Sequence, residues 1–428
     1  MEFSTVGLGT GTQAEQIEAQ NQLVADFNAS QDEIELIVNI AASNETARDT
    51  FSTLIASGQS PDIVGPVGVG GANAYQDQWA DLTDLVASSG FDTSIFDEAL
   101  LDLYRSGDEL LGIPFLVFPS VTYYSRDLFD EAGLEYPPSE FGAPYVLDGV
   151  EMEWNYETAA EIAKILTVDA NGNDATMEGF DPDNIIQFGM NFQWARIALI
   201  WTDLQPEVFY HADTDTVVFP ESWRTGSEWL QDGIWGSHFI PNATYDGSEL
   251  LGGNAFSTGN LAMAVAPLWY TCCLGNSVDN FEWDMGVVPR SFDGEYHVAT
   301  DADTFRLTKG SQNPEAAFTV LSYLLTEGAK TLSVTYGGYP AHPDYQQIWV
   351  DAKDAQFNWG INWALATESL AYNNPGNMHH EQWLPNWQKA TDRIDAFNSL
   401  LSGDTGGDID VQAELDTLEA EVNTIIHE

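Results

Sequence analysis

Three strand-like runs separated by two amphipathic helical stretches in the first 66 residues restrict this chain to few folds. STVGLG (4–9) reads as a strand, and a helix begins near Ala14 with Ile17, Val24 and Phe27 on one face. IELIVNIAA (34–42) reads as a second strand. Asn44 suits an N-cap, Ala47, Phe51, Leu54 and Ile55 recur at helical spacing, and Gly58 suits the C-terminal stop. SPDIVGP (60–66) follows as a short apolar strand. Strands alternating with helices build an α/β fold with an open, mostly parallel sheet. Ligands of such sheets bind beyond the carboxyl ends of the strands. That rule nominates Thr10, Thr12, Ser43, Gly65 and Pro66 as ligand contacts.

A second strand–helix unit occupies 112–138, GIPFLVFPSVTYYSRDLFDEAGLEYPP. Its entry is β-branched and aromatic, Gly133 falls at a helix C-cap, and Pro137 and Pro138 forbid continuation. Further on, Asn155 suits the cap of a helix carrying Ala159, Ile162, Ala163 and Leu166. NLAMAVAPLWYTCC (260–273) is an apolar strand running into aromatic residues. Asn313-Pro314 opens another helix, and Val411 to Ile425 carries apolar residues at helical spacing.

The 428 residues suffice for two lobes with sizeable cores. No run of about 18 apolar residues is present to span a bilayer as a helix. No charged–apolar–small leader opens the chain. The expected form is therefore an exported protein, periplasmic or a cell-surface lipoprotein, with its signal removed. Lys and Arg number 13 against 67 Asp and Glu, a net charge of −54. Such a surface repels nucleic acid and anionic lipid and argues against an anionic ligand. It reads as adaptation to high salt, where counterions screen self-repulsion, or as an ordinary acidic exported protein; the five lysines favour the former.

Several segments, in order, resemble one family. They are GIPFLVFPSVTYYSRDLFDEAGL, PDIV (61–64), GNLAMAVAPLW (259–269), MGVVPRSF (285–292), NPEAAFTVLSYLLTEGA (313–329) and Gly338-Tyr339-Pro340-Ala341. The family is the extracellular solute-binding proteins of ABC importers, its sugar-binding group, which includes the maltose-binding proteins. The resemblance implies a two-lobed periplasmic-binding-protein-like fold with three hinge crossings, near 114–119, 287–293 and 327–334. One lobe would comprise 1–116 and 289–330, the other 117–288 and 331–428. It implies a monomer that binds a saccharide, closes about its hinge and docks on an ABC permease, with no catalysis and no cofactor. Asn260 stands where the family often has lysine, and Phe118 where maltose-binding members have an acidic ligand contact.

Site residues follow from that likeness and from side-chain chemistry. Trp269 and Tyr270 end a strand on the family's cleft side, and an indole buries the CH face of a pyranose while hydroxyls bond at the ring edge. Trp194 and Trp201 fall in the next cleft segment, and Trp359 and Trp363, four apart on an expected helix, supply a further subsite or core; Tyr339 belongs to the Gly-x-x-Pro turn. Asp301 and Asp303 can accept sugar hydroxyls, or form a solvated acidic face. Asp169, Asn171 and Asn173 resemble half a calcium loop, but the sixth and twelfth positions are Asp174 and Phe180, so an Asn/Gly turn is the preferred reading. His379-His380 lack zinc spacing and read as surface. Cys272 and Cys273, the only cysteines, cannot staple distant segments. They are expected as a strained vicinal disulfide beside the ligand, with two thiols as the alternative. Two other functions stay open: a glycosidase or lyase, which also uses paired carboxylates, and a binding protein for a cation such as a polyamine.

Overall fold

A computed structural model describes residues 2–5, 14–41, 44–275, 281–379 and 382–428. The chain divides into two α/β units. The first comprises Met1–Phe118, Asp301–Lys353 and Pro375–Asn377, the second Pro119–Thr300, Asp354–Asn374 and Met378–Glu428. The chain first passes between the units at 118/119 and returns at 300/301, where 287–293 was expected. The expected third crossing, 327–334, is instead internal to a helical run from Pro314 to Tyr336 whose middle, Leu324–Gly328, is a π-turn. Leu324, Leu325 and Leu332 are buried there and Gly328 lies against Leu23, which keeps the run in the first unit.

In the first unit Glu2–Thr5 pairs in parallel with Ile37–Ile40 on one side and Ile63–Val67 on the other. Residues of Thr300–Leu307 then add antiparallel to Ile63–Val67, with Arg306 opposite Val64. The βαβαβ expectation holds, with one change of detail. Helix Ala14–Ser30 buries Gln16, Gln20, Leu23 and Phe27, a face rotated from Ile17 and Val24. The Gln20 amide bonds the Gln16 carbonyl at 3.1 Å, which satisfies its buried nitrogen. Helix Asn44–Ala56 buries Ala47 and Phe51, the latter stacked on Trp79 with centroids 5.6 Å apart.

In the second unit Ser120–Ser125, the latter part of the buried strand Leu116–Ser125, pairs antiparallel with Leu261–Pro267 and with Trp283–Gly286. Ile185–Phe192 lies parallel to Leu261–Pro267, Met190 opposite Met263. Helix Tyr156–Ile165, capped by Asn155 as expected, packs so closely on Ile185–Phe192 that a Cβ on Gly189 would sit 1.9 Å from the Ala163 carbonyl oxygen. Glycine alone fits there. Ser125 caps helix Arg126–Ala132, and Gly133 ends it at φ 67°. The carboxyl-terminal helix Val411–Ile425 buries Val411, Leu415, Leu418 and Val422.

Candidate functional site

The parallel strands Ile185–Phe192 and Leu261–Pro267 release their chains at the same edge of the second unit. Just beyond those carboxyl ends stand Trp194 and Trp269. Their indoles are parallel to within 7°, with centroids 6.5 Å apart. Trp194 is 48% exposed and Trp269 half-buried. Trp194 holds φ 56°, a left-handed conformation that costs a non-glycine residue roughly 1–2 kcal/mol. Its indole N–H donates to the Gly253 carbonyl at 2.7 Å, which offsets part of that strain. Gly252 and Gly253 both take positive φ (57° and 70°), and this turn brings the carbonyl to the indole.

Tyr270 stands edge-on to both indoles, its centroid 5.5 Å from Trp194 and 6.3 Å from Trp269. It is fully buried, and its hydroxyl donates to Asn254 Oδ1. Burial pushes that phenol well above its ordinary range, so it stays a neutral donor. The Asn254 amide in turn donates to the Cys273 carbonyl at 3.2 Å. Tyr270 therefore braces the indoles from beneath. What reaches solvent is aromatic ring surface with amide and carbonyl groups around it, suited to a ligand with apolar CH faces and hydroxyls at their edges.

In the first unit Asp301 and Asp303 lie two apart on their strand, hence on one face. Both are half-buried. Burial, and then the Asp301 charge, push the Asp303 carboxyl from 3.8 up to about 7. The hydroxyls of Tyr104 and Tyr336 are buried and have no hydrogen-bond partner among the described residues, and the Asp303 charge acts on both. The folded chain thus holds the Asp303 proton more tightly than the unfolded chain does. The stability this proton brings is complete below about pH 4 and is lost as pH rises through about 7. Asp303→Asn is expected to raise stability at neutral pH by ~2 kcal/mol, half of the ~4 that the full shift equals, because the carboxylate keeps part of its water. It should also flatten the slope below neutrality. Urea midpoints at about pH 5 and about pH 8 test this, and an unchanged pH slope in the variant would overturn it.

The profile of the bacterial extracellular solute-binding protein family matches residues 11–331. The chain belongs to that family. Its fold is similar to the ABC substrate-binding protein Lmo0181 from Listeria monocytogenes in complex with cycloalternan. That likeness has 20% identity, covers 100% of this chain and 99% of that one, and has a TM-score of 0.73. UspC from M. tuberculosis is similar at 21% identity, 99% and 100% coverage and TM-score 0.72. The sugar-binding protein MalE from Xanthomonas citri is similar at 15%, 100% and 97%, with TM-score 0.75. No curated protein sequence matches the chain. The membership and the two α/β units bear out the family resemblance read from the ordered motifs. Among the described residues no helix of this solute-binding protein is long and apolar enough to cross a membrane.

Several nominated residues take other roles. Trp201 is completely buried: its indole stacks on Trp223 at 4.8 Å and donates to Ser227 Oγ at 2.8 Å. Trp359 and Trp363 lie in a turn, not on one helix. Trp359 donates to the Trp283 carbonyl, and the buried Trp363 donates to Asp354, so both N–H groups serve the fold. Tyr339 is buried against Trp349. Phe118 is buried, with its ring beside Gly338, and Gly65 and Pro66 are buried in their strand with Gly65 against Phe305. Tyr270 is a brace and presents no surface. Thr10, Thr12, Ser43 and His380 lie outside the described residues.

The turn reading of 169–174 is the one the geometry supports. Burial pushes the Asp169 carboxyl up, yet hydrogen bonds led by the Asn173 N–H and side chain, with those of Asp181 and Asn171, bring it down to about 2. Those bonds measure 2.8–3.1 Å and occupy both oxygens. Among the described residues no group of three or more His, Cys, Asp or Glu could hold a metal ion. His379 is buried rather than surface, its Nε2 2.9 Å from the Thr300 carbonyl. In place of the expected disulfide, Cys272 and Cys273 are two thiols with Sγ atoms 2.9 Å apart on the short helix Leu268–Cys273. The sequence reasoning missed Gly253, Asn254, Tyr104 and Tyr336. For the first two a signal was available, since Gly-Gly-Asn ahead of an apolar strand marks a turn with positive φ.

Proposed function

We propose that this solute-binding protein binds a saccharide on the Trp194 and Trp269 indoles and delivers it unaltered to an ABC permease. The observation that carries this reading is the parallel indole pair at the carboxyl ends of two adjacent parallel strands. Pyranose rings alternate apolar CH faces with hydroxyl edges, and two indole faces of one orientation match that pattern. The Listeria protein of similar fold was solved with cycloalternan, an oligosaccharide. The platform consists of ring faces braced by a neutral phenol, an amide and carbonyls, a set that orients a ligand and breaks no bond. We place the protein outside the cytoplasm as a monomer, periplasmic or lipid-anchored at the cell surface.

A melting-temperature screen against mono- and oligosaccharides tests the reading. A ligand present at about 100 times its Kd should stabilise the native state by about 2.7 kcal/mol. Chromatography should return that ligand intact after prolonged incubation. Release of reducing ends would favour a glycosidase. Stabilisation by spermidine and not by any sugar would favour the cation-binding reading.

A further inference from the structure

Behind Trp194 the second unit contains a cavity of about 330 Å³. This lies at the low end of ligand-pocket sizes, ~300–1,000 Å³. Its apolar wall is formed by Ile200, Leu230, Ile240 and Leu401, and Trp194 closes one side. Asp246 is the one charged residue among those lining it. Asp246 ends the short helix Ala243–Asp246, and Asn242 caps that helix by accepting from the Tyr245 N–H at 2.9 Å. The turn holds the Asp246 carboxyl inward. Its Oδ1 is buried and has no hydrogen-bond partner among the described residues.

A buried acceptor without a donor is a rare and costly feature of a folded chain, and costlier when ionised. Burial raises the Asp246 pKa, as lost hydration without compensating donors should. We propose that this cavity is a second binding site, which takes a compact apolar group bearing a primary ammonium, with Asp246 as its counter-charge. An ammonium suits the site better than a hydroxyl for three reasons. Charge-assisted hydrogen bonds are the stronger ones. The Trp194 ring on the adjoining wall attracts cations. The net charge of −54 concentrates cations near the surface, while the apolar wall excludes small hydrated ions. The site shares the Trp194 wall with the saccharide platform but stands without it, so an amine could bind alone or as part of an aminated saccharide.

The probes are cyclohexylmethylamine and its neutral counterpart cyclohexylmethanol. Each is titrated into isotope-labelled protein at high salt, which screens the diffuse surface charge. The Trp194 indole N–H and the 242–247 amides are followed by NMR. The amine should saturate these signals and bind about ten-fold or more tightly than the alcohol, the margin of a charge-assisted bond in a partly buried site. Asp246→Asn should erase that margin while keeping or raising the melting temperature, because it removes a half-buried carboxylate whose Oδ1 lacks a donor among the described residues. Asn398→Trp, which fills the cavity from the helix Trp387–Ser402, should block both probes. Trp269→Ala should leave amine binding intact, so loss of sugar binding in that variant speaks to the platform alone. Amine affinity unchanged in Asp246→Asn, equal binding of the two probes, or shifts scattered without saturation would overturn the proposal.

Discussion

Trp269→Ala is expected to weaken saccharide binding by ~2–4 kcal/mol, the range of an aromatic hot spot. At ~1.4 kcal/mol per tenfold this is roughly a 30- to 1,000-fold rise in Kd. The indole is half-buried beyond its strand, 6.5 Å from Trp194 and edge-on to Tyr270. Its removal takes away ligand surface and leaves space that water can enter, so the unliganded melting temperature should change little. Calorimetry of sugar binding and thermal melting on the one variant separate the outcomes. A variant that melts much earlier yet binds sugar normally would show Trp269 to be core.

Trp201→Ala is expected to do the reverse, costing ~3–5 kcal/mol of stability, as large core truncations do. The indole is completely buried, stacked on Trp223 and bordered by Phe219 at 5.6 Å and Phe397 at 6.1 Å. Loss of its N–H also removes the donor to Ser227 Oγ. The cavity left behind is sealed by rings from two separate segments, 219–223 and the helix bearing Phe397, and cannot collapse fully. Molecules that remain folded should bind sugar with near-normal affinity. The check is a urea midpoint read beside the Kd at low temperature. A stability change under ~1 kcal/mol would contradict the buried assignment.

The contrast between these two tryptophans shows where sequence reasoning reached its limit. Trp194 and Trp201 lie seven residues apart in one apolar stretch, and by composition they are equivalent. Trp194 stays at the surface because its backbone turns to positive φ and a carbonyl 59 positions later holds the indole. Trp201 is enclosed because Phe397, nearly two hundred positions away, packs over it. Asp303 and Asp246 pose the same problem in charged form. Among 67 acidic residues nothing local distinguishes a half-buried carboxylate from a hydrated one. The distinguishing neighbours, Tyr104 and Tyr336 for one and Leu401 for the other, arrive from remote segments.

By itself, the sequence determined the βαβαβ opening, the Asn155 cap, the Gly133 stop and the apolar strand Leu261–Pro267 that leads to Trp269. Each of these rests on interactions spanning a few residues, namely periodic burial, a side chain bonding its own helix end, or a φ that glycine tolerates. The order of its motifs also sufficed for the family. Tertiary structure alone decided where the chain crosses between units, since a helix through 327–334 continues when Leu23 is there to receive Gly328. It alone decided which aromatic rings face solvent and which carboxylates lose their water. Burial depends on what the rest of the chain brings to a residue, and those contacts span tens to hundreds of positions, beyond the reach of any local pattern.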